Sequence, residues 1–204
     1  GLAASEQPFF TAILLRTGAG FAAALKSVCN QTFADVQIVC AGEAFTQAER
    51  AAAGSDGRVE FLERKGLSAG ALLCEALKAA RGQYVHILAG ATLVSAAYEQ
   101  LACRLQTTGA DAVICDADVP VCGMYAGDIA NFRAEKLTGD LLHPLADAEA
   151  LASCGVCLSN KLYRLSAIQT AVQELAGGAI WLSNTGECPQ LAVASAEHCC
   201  RDAI

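Results

Sequence analysis

Charge, basic clusters and long apolar runs are all scarce in this chain. Only 17% of its 204 residues are charged, while 54% are hydrophobic. That balance excludes a disordered chain, which needs low hydrophobicity and high charge. No apolar run approaches the ~18 residues of a membrane span. The richest, Phe9-Phe10-Thr11-Ala12-Ile13-Leu14-Leu15, has the length of a strand. Lys and Arg number 14 against 21 Asp and Glu, a net charge of −7. No basic stripe is present, which excludes nucleic acid as the expected partner, because phosphate neutralisation needs clustered cations. No charged segment precedes an apolar one at the N-terminus, so no signal peptide is read there.

Cysteine, by contrast, is abundant. Eleven are present, an odd number at irregular spacing. Cys29, Cys40, Cys74, Cys103 and Cys115 sit inside apolar stretches. A thiol there behaves as a small hydrophobe. A disulfide framework belongs to short, loop-rich secreted chains. The expectation is that most of these cysteines are buried and unpaired, reduced thiols in a cytoplasmic protein. The chain begins at Gly1 and its single Met is Met124, so a domain taken from a longer protein is expected.

Short apolar runs alternate with helical patterns over the first two-thirds. Strands are expected at Thr11–Leu15, Val36–Cys40, Val59–Leu62, Tyr84–Leu88 and Ala112–Cys115. Helices are expected at Phe21–Asn30, Ala44–Ala53, Ala69–Ala80 and Val94–Gln106. Gly82 reads as the C-cap of the third helix and Gly109 closes the fourth. The βαβ rhythm and the continuous apolar strands predict an α/β domain with a mainly parallel central sheet. Residues 120–150 lose this rhythm and read as an irregular excursion. One further strand is expected within Gly155–Arg164, then a helix at Leu165–Leu175 closed by Gly177-Gly178, and a last helix within Ala192–Ala203. Residues 1–8 read as an N-terminal extension of a single domain spanning 1–204.

Four passages, in order, resemble the family 2 glycosyltransferases. Ser27-Val28-Cys29-Asn30-Gln31-Thr32-Phe33, followed by Asp35-Val36-Gln37-Ile38-Val39, is similar to their passage between first helix and second strand. Gly66-Leu67-Ser68-Ala69 and Lys78-Ala79-Ala80-Arg81-Gly82-Gln83-Tyr84-Val85 resemble a later one. Ala110 to Asp116 resembles the strand after the metal motif, and Asn160-Lys161-Leu162-Tyr163-Arg164 an "N-K-L-Y-R" element. The resemblance implies a GT-A-like, Rossmann-like three-layer α/β/α domain that binds a nucleotide-diphospho-sugar. In that family an Asp after the second strand contacts uracil. A D-x-D motif after the fourth strand binds the ribose and the Mg²⁺ or Mn²⁺ on the diphosphate. A third Asp is the general base for the acceptor hydroxyl, and transfer inverts the sugar.

This chain departs from the family at each of these positions. The implied donor cleft is Thr17, Gly18, Ala41, Gly42, Glu43, Ala89, Gly90 and Ala91. Ala41 takes an Asp position, and Ala89 with Ala91 take the two D-x-D carboxylates. The implied base region is Glu187-Cys188, and a thiol is a poor base for a sugar hydroxyl. Arg16-Thr17-Gly18 replaces "P-x-Y-N", and Leu73-Cys74 replaces "R-N". A divalent cation needs hard oxygen ligands, which an alanine methyl does not offer. Without it, the diphosphate would need cations such as Arg16, Lys65 or Arg133. No metal and no other cofactor is therefore expected.

Other sites read more simply. Cys154-Gly155-Val156-Cys157, with His143 and His198-Cys199-Cys200, could compose a zinc site. Idle thiols are the simpler account in so cysteine-rich a chain. His86 reads as a core histidine with satisfied hydrogen bonds. Asp116 and Asp118 follow the fifth strand, where a relocated metal site would stand; solvated loop acids are the commoner case. Gly18-Ala19-Gly20 does not continue into a phosphate loop, since position 23 is Ala. Two functions follow. One is a non-catalytic, binding-only remnant that meets a nucleotide-sugar or glycan, within a larger bacterial cell-envelope polysaccharide protein. The other is an active transferase using Mg²⁺ or Mn²⁺ with relocated acids such as Asp116, Asp118 or Glu187.

Overall fold

The computed structural model describes residues 2–17, 19–109, 112–114, 158–159, 161–175, 180, 182, 188, 190–191 and 194–195. Ten elements come first: β1 (Phe10–Leu15), α1 (Phe21–Cys29), β2 (Val36–Gly42), α2 (Gln47–Ala52), β3 (Val59–Glu63), α3 (Ala69–Ala79), β4 (Tyr84–Leu88), α4 (Ala97–Thr108), β5 (Ala112–Ile114) and β6 (Lys161–Arg164). Helix α5 (Leu165–Glu174) follows β6 directly. The strands form one six-stranded sheet in the order β3-β2-β1-β4-β6-β5. β1, β2, β3 and β4 run parallel, and β6 runs antiparallel to both β4 and β5. β2, β1 and β4 are neighbours, within the mainly parallel sheet expected from the sequence.

The side-chain period of two builds two cores. Ile13 and Leu15 of β1 face α3 and α5, joining Leu73, Ala76, Ile168 and Ala171. Phe10, Ala12 and Leu14 face α1 and α4, joining Leu25, Val28, Tyr98 and Leu105. The result is a three-layer α/β/α domain. β1, β2 and β4 are buried on both faces, which is why they read as nearly continuous apolar runs; the edge strand β3 is only partly buried. The path moves outward from β1 through β2 to β3, then returns past β1 to β4. α1 and α3 lie on opposite faces of the sheet, as right-handed crossovers require when the direction reverses. The reversal falls between β1 and β4. A crevice at their C-terminal ends is where such sheets bind ligands.

Several boundaries differ from the sequence reading. α2 begins at Gln47, not Ala44, because Thr46 and Glu49 form a reciprocal capping box. Phe45 instead turns inward, its ring centroid 5.2 Å from Phe21 and 5.0 Å from Phe61. α4 begins at Ala97, and the stretch after Leu88 is a connection. Gly109 caps α4 with φ 64°, as read. Gly82 is not a helix cap: α3 ends at Ala79 and Ala80 is already extended. The Gly82 N–H donates to Thr11 Oγ1 at 2.8 Å. A Cβ there would stand 2.4 Å from the Thr11 backbone nitrogen, so close approach to β1 demands glycine.

One buried charge is balanced within the fold. Arg58 is 1% exposed. It donates to both Asp56 carboxylate oxygens and to the carbonyls of Ala34 and Cys29. Among the described cysteines all are free; Cys40 and Cys188 are buried and Cys29 and Cys74 half-buried. Cys103 is exposed, an exception to the burial expected of most of these cysteines. The inward stripe of α4 is Tyr98, Ala102 and Leu105, and Cys103 falls one residue off it. Cys115, the 120–150 excursion and Gly177-Gly178 lie outside the described residues. Of the expected last helix only 194–195 are described, both helical. No helix among the described residues is long and apolar enough to cross a membrane.

Candidate functional site

The candidate ligand edge is assembled by the C-terminal ends of β1, β2 and β4. Leu15 pairs with Ala41 and Leu14 with Leu88, so the three strands end almost level. Arg16 extends the ladder, its N–H donating to the Ala41 carbonyl at 2.9 Å. Gly42 ends β2 under a crowded roof. A Cβ there would stand 3.0 Å from both Arg16 Cβ and the Phe45 ring. Glu43 then leaves into solvent. Beyond β4, Gly90 has φ 77°, and its Cα would carry a Cβ 3.1 Å from the Ala19 carbonyl oxygen. Gly20, with φ 92°, approaches Gly90 in return. The turns after β1 and β4 thus touch backbone to backbone.

The three alanines at this edge are packed inside it. Ala41 and Ala91 are 0% exposed and Ala89 is 6% exposed. Ala41 belongs to the core under α3 and α5. Ala91 belongs to the opposite core, with Leu88, Leu93 and Tyr98. A hard divalent cation does not fit this donor set, because no side-chain oxygen stands at any of the three positions.

The nearest cation is already balanced. Arg16 Nε donates to both oxygens of Glu49, at 2.8 and 2.9 Å. Glu49 also accepts from the Thr46 N–H at 2.8 Å. Burial opposes ionisation of Glu49, but the bonds from Thr46 and Arg16 outweigh it and hold its pKa below the usual carboxylate range. Arg16 is therefore committed to α2. Lys65 is exposed, and Arg133 lies outside the described residues.

Two sets of side chains hold the segment that follows β4. His86 is wholly buried in β4. Its Nε2 lies 2.5 Å from the Ser159 carbonyl and its Nδ1 2.9 Å from the Tyr98 hydroxyl. A carbonyl only accepts, so Nε2 carries the proton and Nδ1 accepts from Tyr98. Desolvation pushes the His86 pKa down to about 4. The ring is neutral and structural, as the sequence suggested. Ser159 Oγ in turn accepts from the Ala89 N–H at 3.2 Å. The second set comes from the end of α1. Ser27 Oγ accepts from Leu93 N–H at 3.0 Å. Gln31 donates to the Val94 carbonyl at 2.8 Å and accepts from Tyr98 N–H at 2.9 Å. Thr32 N–H donates to the Ser95 carbonyl at 2.9 Å.

In the sequence, Ser27, Gln31 and Thr32 are markers of resemblance only. Their role is hidden there because it depends on what lies beside the end of α1. A signal is nevertheless present: a hydrogen-bonding Ser-x3-Gln-Thr between an apolar helix and an apolar strand. Thr17 follows β1 at the edge, half-buried. Cys188 is buried in the core under α3 and α5, where desolvation raises its pKa. Gly18, Glu187, Asp116, Asp118, Cys154, Cys157, His143, His198, Cys199 and Cys200 lie outside the described residues. Among the described residues, no group of three or more His, Cys, Asp or Glu side chains could hold a metal ion.

No known family profile matches this chain, and no curated protein matches it. The fold is shared with S. aureus TarS, a family 2 glycosyltransferase of the GT-A fold. The superposition has a TM-score of 0.56 at 11% identity and covers 79% of this chain. It covers 29% of TarS, so this chain spans less than a third of that protein. The likeness is one of fold.

Proposed function

We propose that this chain is a glycosyltransferase-like domain, of the family 2 kind, that keeps a nucleotide-sugar-binding fold without metal-dependent transfer. One observation carries the reading. Ala41, Ala89 and Ala91 occupy the C-terminal edge of the sheet beside the strand-order reversal, and Ala41 and Ala91 are built into opposite cores. A chemistry-bearing edge that has become packing supports a role in binding or scaffolding. The ligand class is a nucleotide-sugar or a glycan. The domain then belongs to a longer bacterial protein of cell-envelope polysaccharide synthesis, on the cytoplasmic side, consistent with free thiols at the described cysteines.

The test is donor turnover. UDP- and GDP-sugars are incubated with the protein and Mn²⁺, and free nucleotide diphosphate is quantified. Release equal to the protein-free blank is expected. Release above the blank that requires Mn²⁺ overturns the reading and favours an active transferase with relocated acids.

A further inference from the structure

We propose that Gln31 is a positioning residue for the ligand edge: its carboxamide fixes the segment from Ala89 to Tyr98 in one shape independently of any bound metal. What that segment meets rests on the nucleotide-binding reading, but the fixing is a property of this chain alone.

Between the last residue of β4 and the first turn of α4 the backbone has no ladder of its own. Buried or half-buried peptide groups there need partners from elsewhere. α1 and the two residues after its cap supply most of them through Ser27, Gln31 and Thr32. Gln31 is distinctive because one side chain bonds two separate points of the segment. Its Nε2 donates to the Val94 carbonyl, and to the carbonyl of Ser27 at 3.1 Å. Its Oε1 accepts from the Tyr98 N–H. Tyr98 is the second residue of α4, whose N-cap position is Ala96 and has no side-chain cap. Gln31 thus caps α4 from beyond the end of another helix, satisfying an N–H that a Ser or Asp at position 96 would ordinarily take. The residue is 7% exposed, so water is a poor substitute.

The other end of the segment reaches the C-terminal edge of the sheet. Ala89 is held by Ser159, and Gly90 rests against the Ala19–Gly20 turn at the head of α1. The segment is therefore tied to both ends of that helix. None of these ties uses a carboxylate at 89 or 91. Loss of the acids leaves the edge in shape, and the end of α1 governs that shape.

The test uses Gln31→Leu and Gln31→Glu in the whole chain. Gln31→Leu removes donor and acceptor together. Amide hydrogen exchange across 91–98 should rise about tenfold, the scale of one to two net hydrogen bonds. Amides of β1, β2 and β4 should keep their protection. UDP affinity should weaken by a similar factor, about tenfold. Gln31→Glu adds a pH profile. When protonated, the introduced carboxyl can donate to Val94 and accept from Tyr98, as the amide does. When ionised, it faces two carbonyls. Exchange corrected for its intrinsic pH dependence, and UDP affinity, should approach wild type at pH 5 and resemble Gln31→Leu at pH 8. Glu99 lies in the same patch and accepts from Thr32 Oγ1, so wild type is measured over the same range. Unchanged local exchange in both variants overturns the fixing. Changed exchange with unchanged UDP affinity overturns positioning and leaves Gln31 structural. If wild type binds no nucleotide, the functional reading falls, and the exchange pattern alone decides whether Gln31 fixes the segment.

Discussion

His86 Nδ1 and the Tyr98 hydroxyl, 2.9 Å apart, join the central strand β4 to α4 through a ring that is neutral in the folded protein. Protonation would put a charge where no counter-ion is bonded to the ring. The folded pKa is about 4, against an ordinary value of 6.5.

That difference sets a pH window. As pH falls through 6.5 the unfolded chain gains a proton that the folded chain refuses until about pH 4. Stability is full above 6.5 and declines between 6.5 and 4, by up to about 3 kcal/mol. Asp56 and Glu49 also have lowered pKa values, but the stability they contribute is lost only from about pH 5 downward, at the low end of this window. Urea midpoints measured from pH 7.5 to 4.5 should fall in wild type. In His86→Gln the starting stability should be lower and the fall across this range smaller. An equal fall in both would assign the window to other groups.

Placing an acid at this edge tests how deeply its alanines are packed. Ala91 is 0% exposed among Leu88, Leu93 and Tyr98. Ala91→Asp buries an unpaired carboxylate and should cost about 3 kcal/mol or more at pH 7, less at pH 4.5 where the acid is neutral. Denaturant unfolding at both pH values measures it. A cost under about 1 kcal/mol would show that the position still opens to water.

Thiol reactivity should follow burial. Among the described cysteines, Cys103 is exposed on α4 and should take a maleimide first. Cys29 is pushed up to about 11 by burial and then by Asp56, and Cys40 is raised further by burial. Both should resist labelling at pH 7.5 in the native state, because the thiolate is the reactive form. Mass-mapped labelling before and after denaturation distinguishes the sites. Native labelling of Cys40 at the rate of Cys103 would contradict the packing of β2.

Most of the sheet was legible because parallel strands buried on both faces leave continuous apolar runs, as at Val36–Cys40 and Tyr84–Leu88. Boundaries set by side-chain geometry were harder to read. The Thr46–Glu49 capping box, inside an Ala-rich stretch, displaces the start of α2. Gly82 resembles a cap because a glycine after a helix usually is one; its contact with Thr11 comes from a strand 71 positions away. The alanines of the candidate edge are singled out only through family resemblance, since an alanine side chain carries no chemical signal of its own. Their burial, and the clamp formed by Ser27, Gln31 and Thr32, depend on neighbours that sequence spacing does not reveal.

The most direct measurement is a calorimetric titration of the unmodified protein with UDP, made once with Mn²⁺ and once with a chelator. A domain that keeps the fold without the metal-binding acids should bind UDP with the same affinity in both, within about twofold. Tightening by about tenfold or more in Mn²⁺, about 1.4 kcal/mol of coupling, would contradict the proposed loss of the metal site and place working carboxylates at the edge of this sheet.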